Sequence, residues 1–305
     1  MANYAGVELG GTKCICVLGS GPDDIREREL LQTRDPLATL AAIAEILARW
    51  NAGPAPLAAI GIASFGPIDL REGSRTYGRI GATPKKDWAY TDVDAYFRKR
   101  FDAPVGITTD VIGAALAEGR WGGGRGLRDF AYVTVGTGVG VGLIHDGQPL
   151  LGCHHPELGH ARIARAAGDD WPGHCSFHGD CVEGLASGPA IEARCGVAAA
   201  NLPPENPAWQ LVAHALGQLA HLLVVSVAPQ RILMGGGVLT QRAPLFAEIR
   251  SRLDASLNGY LEIAELKKDL DAYVVPPGLG ADAGPLGALA VAIDTHNASM
   301  EGKRK

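Results

Sequence analysis

Two stretches decide how this chain is read: VELGGTKCICVLG at Val7–Gly19 and VTVGTGVGVGLIH at Val133–His145. Each is a short β-rich run, a glycine turn carrying a threonine, and a second β-rich run. That pattern predicts a hairpin closed by a tight turn that exposes its backbone. The separation of the two is domain-sized, which points to duplicated halves and not to a solenoid.

Between and beyond them, strands and helices alternate. In DPLATLAAIAEILARW, Asp35 stands at an N-cap and Pro36 at the first helical position, with Leu37, Leu40, Ala44 and Leu47 expected on one face. PLAAIGIASFGPIDL reads as a strand that breaks at Gly66 and Pro67, and VGITTDVIGAALAEGRW as a strand passing into a helix around Asp110. Helices are expected at about 188–195 and 209–227. RILMGGGV reads as a buried strand ending in three glycines, and LGALAVAIDTH as a last helix. The alternation predicts an α/β architecture. No Pro/Gly/Ser-rich linker separates the halves, so two lobes packed around a shared cleft are expected.

Composition narrows the classes of function. With 305 residues, 47% hydrophobic and 20% charged, the chain can bury a sizeable core. A net charge of −5, and no basic run except the terminal GKRK, argue against a nucleic-acid partner. That tail reads as a solvated end. No basic segment followed by an apolar stretch opens the chain, and no apolar run is expected to approach bilayer length, so no membrane partner is expected and the placement is cytoplasmic. In a reducing compartment the 6 cysteines are not expected to pair. Cys14, Cys16 and Cys195 read as small core residues.

Three places could carry chemistry. Glycine turns let backbone N–H groups approach anionic oxygens, so Gly10 and Gly11, with the Thr12 hydroxyl and the Lys13 ammonium beside them, form one candidate phosphate cradle. Gly136–Gly140 forms a second. Neither has the spacing of a P-loop or of a Rossmann fingerprint. Asp110, at a strand-to-helix junction, is placed either to accept a hydroxyl proton or simply to cap the helix. Finally, CSFHGDCVEG at Cys175–Gly184 sets Cys175, His178 and Cys181 as C-x2-H-x2-C, with Glu157 and His160 upstream in PELGH. Thiolates and imidazoles at this density suit tetrahedral Zn²⁺, and four protein ligands would leave no open position, which makes the metal structural. Cys153, His154, His155 and His174 remain competing ligands by spacing.

Taken together, GGTK, the strand-end Asp110, TVGTGVGVG, ELGH with the Cys/His cluster and EGLASGPA, and MGGGV resemble the ROK-family sugar kinases of the actin- and hexokinase-like group. The cluster form and TPKKDW at Thr83–Trp88 are most similar to the bacterial fructokinase branch. The resemblance implies a two-lobed fold, residues 1–112 plus 287–305 forming one lobe and 113–286 the other. It implies ATP, Mg²⁺ carried with the nucleotide, structural zinc, a hexose substrate and a homodimer. By position, Asp110 is implied as general base, and Glu157, His160, Glu183, Gly66 and Pro67 as sugar-binding residues. Gly10, Gly11, Thr12, Lys13, Thr137 and Gly138 are implied at the phosphates and Gly235, Gly236 and Gly237 at the adenosine. His160, Cys175, His178 and Cys181 are implied as the zinc ligands.

The expected reaction is phosphorylation of fructose at its 6-hydroxyl. Mannokinase, glucokinase and N-acetylhexosamine kinase activities are the alternatives within the family, and a catalytically silent sugar sensor is the alternative of another class. The family's repressor form, with a helix-turn-helix domain ahead of the kinase fold, is not expected because the first phosphate turn falls by Gly10. Two departures stand out: Glu8 occupies a place that is often Asp, and Thr109 and Ile112 stand where glucose-type members carry Asn.

Overall fold

In the computed structural model, residues 2–302 are described except Gln241, Glu265, Lys267 and Lys268, so the basic end of the GKRK tail lies outside the described residues. Two compact units emerge. One comprises Met1–Arg125, Leu151–His155 and Asp282–Lys305, and the other Gly126–Leu150 and Pro156–Ala281.

The first unit is built on β1 (Asn3–Leu9), β2 (Lys13–Gly21), β3 (Asp24–Gln32), β4 (Leu57–Ser64) and β5 (Val105–Thr109). Their order in the sheet is β3-β2-β1-β4-β5. β1–β2 and β2–β3 run antiparallel, while β1–β4 and β4–β5 run parallel. The central strands are buried along almost their whole length, as their apolar runs require. The C-terminal helix, Ala283–Gly302, lies against β1 and β4 at backbone distance. A Cβ at Gly61 would fall 2.1 Å from the Ala288 carbonyl oxygen, so only glycine admits the contact.

α1 (Pro36–Asn51) begins as the sequence predicts: the Asp35 carboxylate accepts the Ala38 N–H, a cap that contributes about 1 kcal/mol. The buried stripe is different. It runs through Leu40, Ile43, Leu47 and Trp50, while Leu37 is 72% exposed. Leu37 sits in the first turn, ahead of Thr39, the first buried residue of the helix.

The second unit repeats the plan with β6 (Phe130–Val135), β7 (Val139–His145), β8 (Gln148–Pro149), β9 (Arg231–Gly235) and β10 (Val274–Val275). The order is β10-β9-β6-β7-β8. β6–β7 and β7–β8 are antiparallel, and β6–β9 and β9–β10 are parallel. Strand for strand this is the first sheet again, the topological form of the duplication seen in the two glycine hairpins.

α6 (Ala208–Val227) is long and apolar enough, by length and composition, to cross a membrane. This departs from the expectation that no apolar segment reaches that length. Its face through Val212, Leu216, Leu219 and Leu223 is buried in the core with Ile249 and Leu253 of α7 (Ala243–Leu257), which is the burial of a core helix.

Candidate functional site

Parallel register sets the site of the first unit. Leu9 pairs with Ser64 and Ser64 with Thr109, so the carboxyl ends of β1, β4 and β5 lie side by side. From these three ends emerge the glycine turn Gly10–Lys13, the Phe65–Gly66–Pro67 segment, and Asp110 at the start of α3 (Asp110–Trp121). The carboxyl edge of a parallel sheet is where α/β folds present reactive groups.

The glycine turn is tied back through its carbonyls. The Thr33 hydroxyl donates to Gly10 O at 2.7 Å, the Thr33 N–H donates to Thr12 O at 3.0 Å, and the Lys85 ammonium donates to Gly11 O. With its acceptors engaged, what the turn can offer a ligand is its N–H groups, the polarity an anion needs. Thr12 and Lys13 are exposed.

Asp110 does not cap its helix. Thr109 does, accepting the Ile112 N–H at 3.1 Å, which releases the Asp110 side chain for another role. The Asp110 carboxylate accepts the Val111 N–H at 2.9 Å. Burial pushes its carboxyl up to about 6, against the opposing pull of backbone donors and of Lys85. Glu8 is pushed up to about 7, by burial first and by the charge of Asp110 second, while Lys13 and Arg28 oppose the rise. A Cβ on Gly284, at the start of the C-terminal helix, would fall 2.2 Å from the Glu8 carboxylate. Two carboxylates raised by burial thus lie beside the glycine turn, an arrangement that could accept a cation together with an anion.

Gly66 and Pro67 sit at the same edge. Phe65 N–H donates to Leu9 O at 2.9 Å, and Gly81 N–H donates to Pro67 O at 2.7 Å. The buried His155 ring accepts the Ile68 N–H through Nε2 at 3.1 Å. His155 is thereby engaged in shaping this loop and not in a metal shell.

Lys85 is the residue that sequence reasoning passed over. Its motif, TPKKDW, marks the resemblance but by itself gives the lysine no role. Trp88, 2% exposed, donates from its indole to Arg34 O at 2.8 Å and meets Phe65 edge-on, centroids 5.2 Å apart. The Lys85 ammonium lies 4.8 Å from the Phe65 centroid and on the Gly11 carbonyl.

In the second unit the turn Gly136–Gly138, which holds Thr137, lies where β6 ends, and Gly235–Gly237 crosses beside it. Val238 N–H donates to Val135 O at 3.0 Å, and a Cβ at Gly236 would meet the Val135 oxygen at 2.4 Å. Glu183, in the first turn of α4 (Val182–Ala186), accepts the Val139 N–H at 3.1 Å. A Cβ at Gly138 would come within 2.6 Å of the same carboxylate. His160 Nε2 lies 3.9 Å from the other Glu183 oxygen. Glu157 is exposed, and its carbonyl accepts the His160 N–H at 2.9 Å.

His160, Cys175, His178 and Cys181 converge, with donor atoms all within 4.8 Å of one another. Cys175 Sγ is 3.5 Å from His160 Nδ1 and 3.7 Å from His178 Nδ1. Cys181 Sγ is 3.6 Å from His160 Nδ1, and the two Nδ1 atoms are 3.2 Å apart. A tetrahedral ion with metal–sulfur bonds of about 2.3 Å and metal–nitrogen bonds of about 2.0–2.1 Å has S···N edges of about 3.6 Å and an N···N edge of about 3.3 Å. Four of the six donor–donor edges are thus those of a small-cation shell, and the whole set stays within 4.8 Å. Cys181 is fully buried, and burial pushes its thiol up to about 11, a cost that a bound cation reverses. Among the described residues the cluster holds these four, and Cys153, His154 and His174 are exposed outside it.

Two like sheets, each with a glycine hairpin at its centre and chemistry at its parallel edge, define an actin- and hexokinase-like ATPase fold. The ROK family profile matches residues 4–295, and the chain belongs to the ROK family. A fructokinase of Zymomonas mobilis is 40% identical over 298 residues, covering 96% of this chain and 97% of that protein. A fructokinase of Pediococcus pentosaceus is 38% identical over 286 residues, covering 94% and 96%. Among solved structures, a ROK glucokinase of Streptomyces griseus in complex with glucose and AMPPNP superposes with a TM-score of 0.75. It is 24% identical and covers 96% of this chain and 100% of that one, which bears on the fold alone.

Proposed function

We propose that the chain is an ATP-dependent hexose kinase that transfers the γ-phosphoryl group to the 6-hydroxyl of fructose. The observation that carries the reading is Asp110: a carboxylate freed from capping, raised to about 6, at the sheet edge beside a glycine turn. A base in that range is ionised at neutral pH yet basic enough to take a proton as the hydroxyl attacks. The fructokinase relatives, at 38% and 40% identity over nearly full length, support fructose as the acceptor.

The chain's own residues divide the work. Asp110 orients the sugar hydroxyl and accepts its proton. The Gly10–Thr12 turn with Lys13, and the Thr137–Gly138 turn, hold the phosphates by N–H donors. Gly235–Gly237 leave room for the adenosine, because no side chain stands on that crossing. Glu157, His160, Glu183, Gly66 and Pro67 contact the sugar. Glu8 and Asp110 would face Mg²⁺, which when bound with the nucleotide neutralises phosphate charge.

His160, Cys175, His178 and Cys181 would hold a structural Zn²⁺. With Nδ1 on such an ion, His160 would keep Nε2 toward Glu183, so the two would stay oriented as a sugar-binding pair. The protein works in the cytoplasm as a homodimer. Sugar-dependent ADP release is the test, measured with fructose, mannose, glucose and N-acetylated hexosamines. The highest kcat/KM is expected with fructose. A preference for another hexose refutes fructose, and no release with any of them refutes the kinase reading.

A further inference from the structure

We propose that Lys85 is a catalytic residue of this kinase, one that moves from the Gly11 carbonyl onto the phosphoryl group and neutralises it in flight to the hydroxyl held by Asp110. The inference rests on the kinase reading above and adds to it a charge that the glycine turns and Asp110 do not supply.

Three features separate Lys85 from an ordinary structural lysine. First, its ammonium is placed by glycine: a Cβ at Gly11 would lie 1.9 Å from Lys85 Nζ and 2.4 Å from Cε. Gly11 is not among the positive-φ glycines, so a side chain there would displace the tip of the lysine and would not meet backbone strain. Second, the root of the lysine is anchored while its tip is not. Trp88 N–H donates to Lys85 O at 3.2 Å and the Trp88 indole is fixed on Arg34 O, but the ammonium has one protein acceptor among the described residues, Gly11 O, for three donors. Third, it shares its field with Asp110. Burial pushes the Lys85 ammonium below the usual lysine range while Asp110 pulls it back up, and Lys85 in turn pulls Asp110 down.

A half-buried ammonium resting on one carbonyl and one ring face is poorly solvated. An anion arriving at the Gly10–Thr12 turn offers it oxygens with full negative charge at the same place. In the transfer, the bond from the sugar oxygen to the γ-phosphorus forms as the bond from that phosphorus to the bridging oxygen breaks. The hydroxyl proton passes to Asp110, and ADP leaves with the bridging electrons. Negative charge spreads over the three equatorial oxygens, and an ammonium within reach of them is worth most at that moment. Lys13 is exposed at the outer end of the turn, whereas Lys85 reaches the turn from the residues after β4.

The test uses full-length Lys85→Met and Lys85→Arg, with fructose or whichever hexose the wild type turns over. Readouts are kcat, both KM values, ADP binding by calorimetry, and inhibition by ADP with aluminium fluoride and sugar, which mimics the planar phosphoryl group. Met is expected to lower kcat about 10²–10³-fold, to leave the KM values and ADP affinity within about threefold, and to lose the extra affinity conferred by aluminium fluoride. Arg is expected to recover at least about tenfold of the kcat. If Met does not fold, Lys85→Gln carries the same expectations.

A Met variant within about fivefold of wild-type kcat overturns the proposal. So does one that weakens ATP and ADP binding as much as it slows turnover, the result expected if Lys85 merely shapes the glycine turn. Those outcomes leave the kinase reading intact, whereas a wild type with no sugar-dependent ADP release removes both.

Discussion

Asp110→Asn should make the unliganded protein more stable and nearly inactive, and the two effects have one electrostatic cause. Because the folded state holds the Asp110 proton more tightly than the unfolded chain, this group's contribution to stability is complete below pH 3.8 and is lost as pH climbs to about 6. That interval, at about 1.4 kcal/mol per pH unit, amounts to about 3 kcal/mol at pH 8. The amide is nearly isosteric, keeps an oxygen for the Val111 N–H, and carries no charge to desolvate. It also removes the repulsion that helps hold Glu8 near 7. Allowing for water and relaxation around a site that opens to solvent, the gain should be about 1.5–3 kcal/mol, or a rise in apparent Tm of roughly 5 °C at pH 8. At pH 4 the wild-type carboxyl is already neutral when folded, and the difference should shrink to within about 1 °C. Scanning calorimetry of both proteins from pH 4 to pH 8, without nucleotide, measures it. The same variant should lose about 10³-fold in kcat, and wild-type kcat/KM should rise with pH through about 6 and then level, because the base must be ionised. Equal Tm values at pH 8, or a difference that does not change with pH, would refute the electrostatic account, as would an Asn variant within tenfold of wild-type kcat.

Two expectations concern the metal shell. Purified protein should carry about one Zn²⁺ per chain, and stripping it with a strong chelator should lower the apparent Tm by at least about 10 °C, since binding energy at a closed site is folding energy; metal analysis of undenatured protein decides. Gly184→Ala should weaken zinc retention without touching a ligand, because its Cβ would fall 1.8 Å from the Gly179 oxygen and 2.9 Å from Cys175 N, inside the loop that carries three of the four donors. Full zinc occupancy and an unchanged Tm in that variant would contradict this.

What was legible in the sequence is what local chemistry determines. The two hairpins show in their glycine turns, the β5–α3 junction shows in GITTDV, and the metal shell shows in the spacing of Cys175, His178 and Cys181. What was not legible depends on contacts far apart in the chain. β3 reads RERELLQ, a charged run with no strand signature, and forms because β2 offers it an antiparallel edge with one face in water. In α1, 37/40/44/47 and 40/43/47/50 are equally periodic stripes, and only the position of the sheet selects the second. His155, separated from Ile68 by 87 residues, returns to brace a loop of the same unit. Lys85 carried no motif of its own chemistry: its meaning comes from Gly11, 74 residues earlier.

Burial leaves Glu8 and Asp110 reluctant to ionise and Lys85 reluctant to stay charged, all at one edge of one sheet. Each shift opposes the charged form, so desolvation outweighs the charge partners found among the described residues. A bare phosphate would ease Lys85 but worsen the two carboxylates, and a bare cation would do the reverse. Only a ligand bringing both signs, a cation on a polyphosphate, relieves all three together. On the kinase reading, these charges would favour a metal–nucleotide pair over either component alone. Removing Asp110 or Lys85 should weaken that selection from opposite sides.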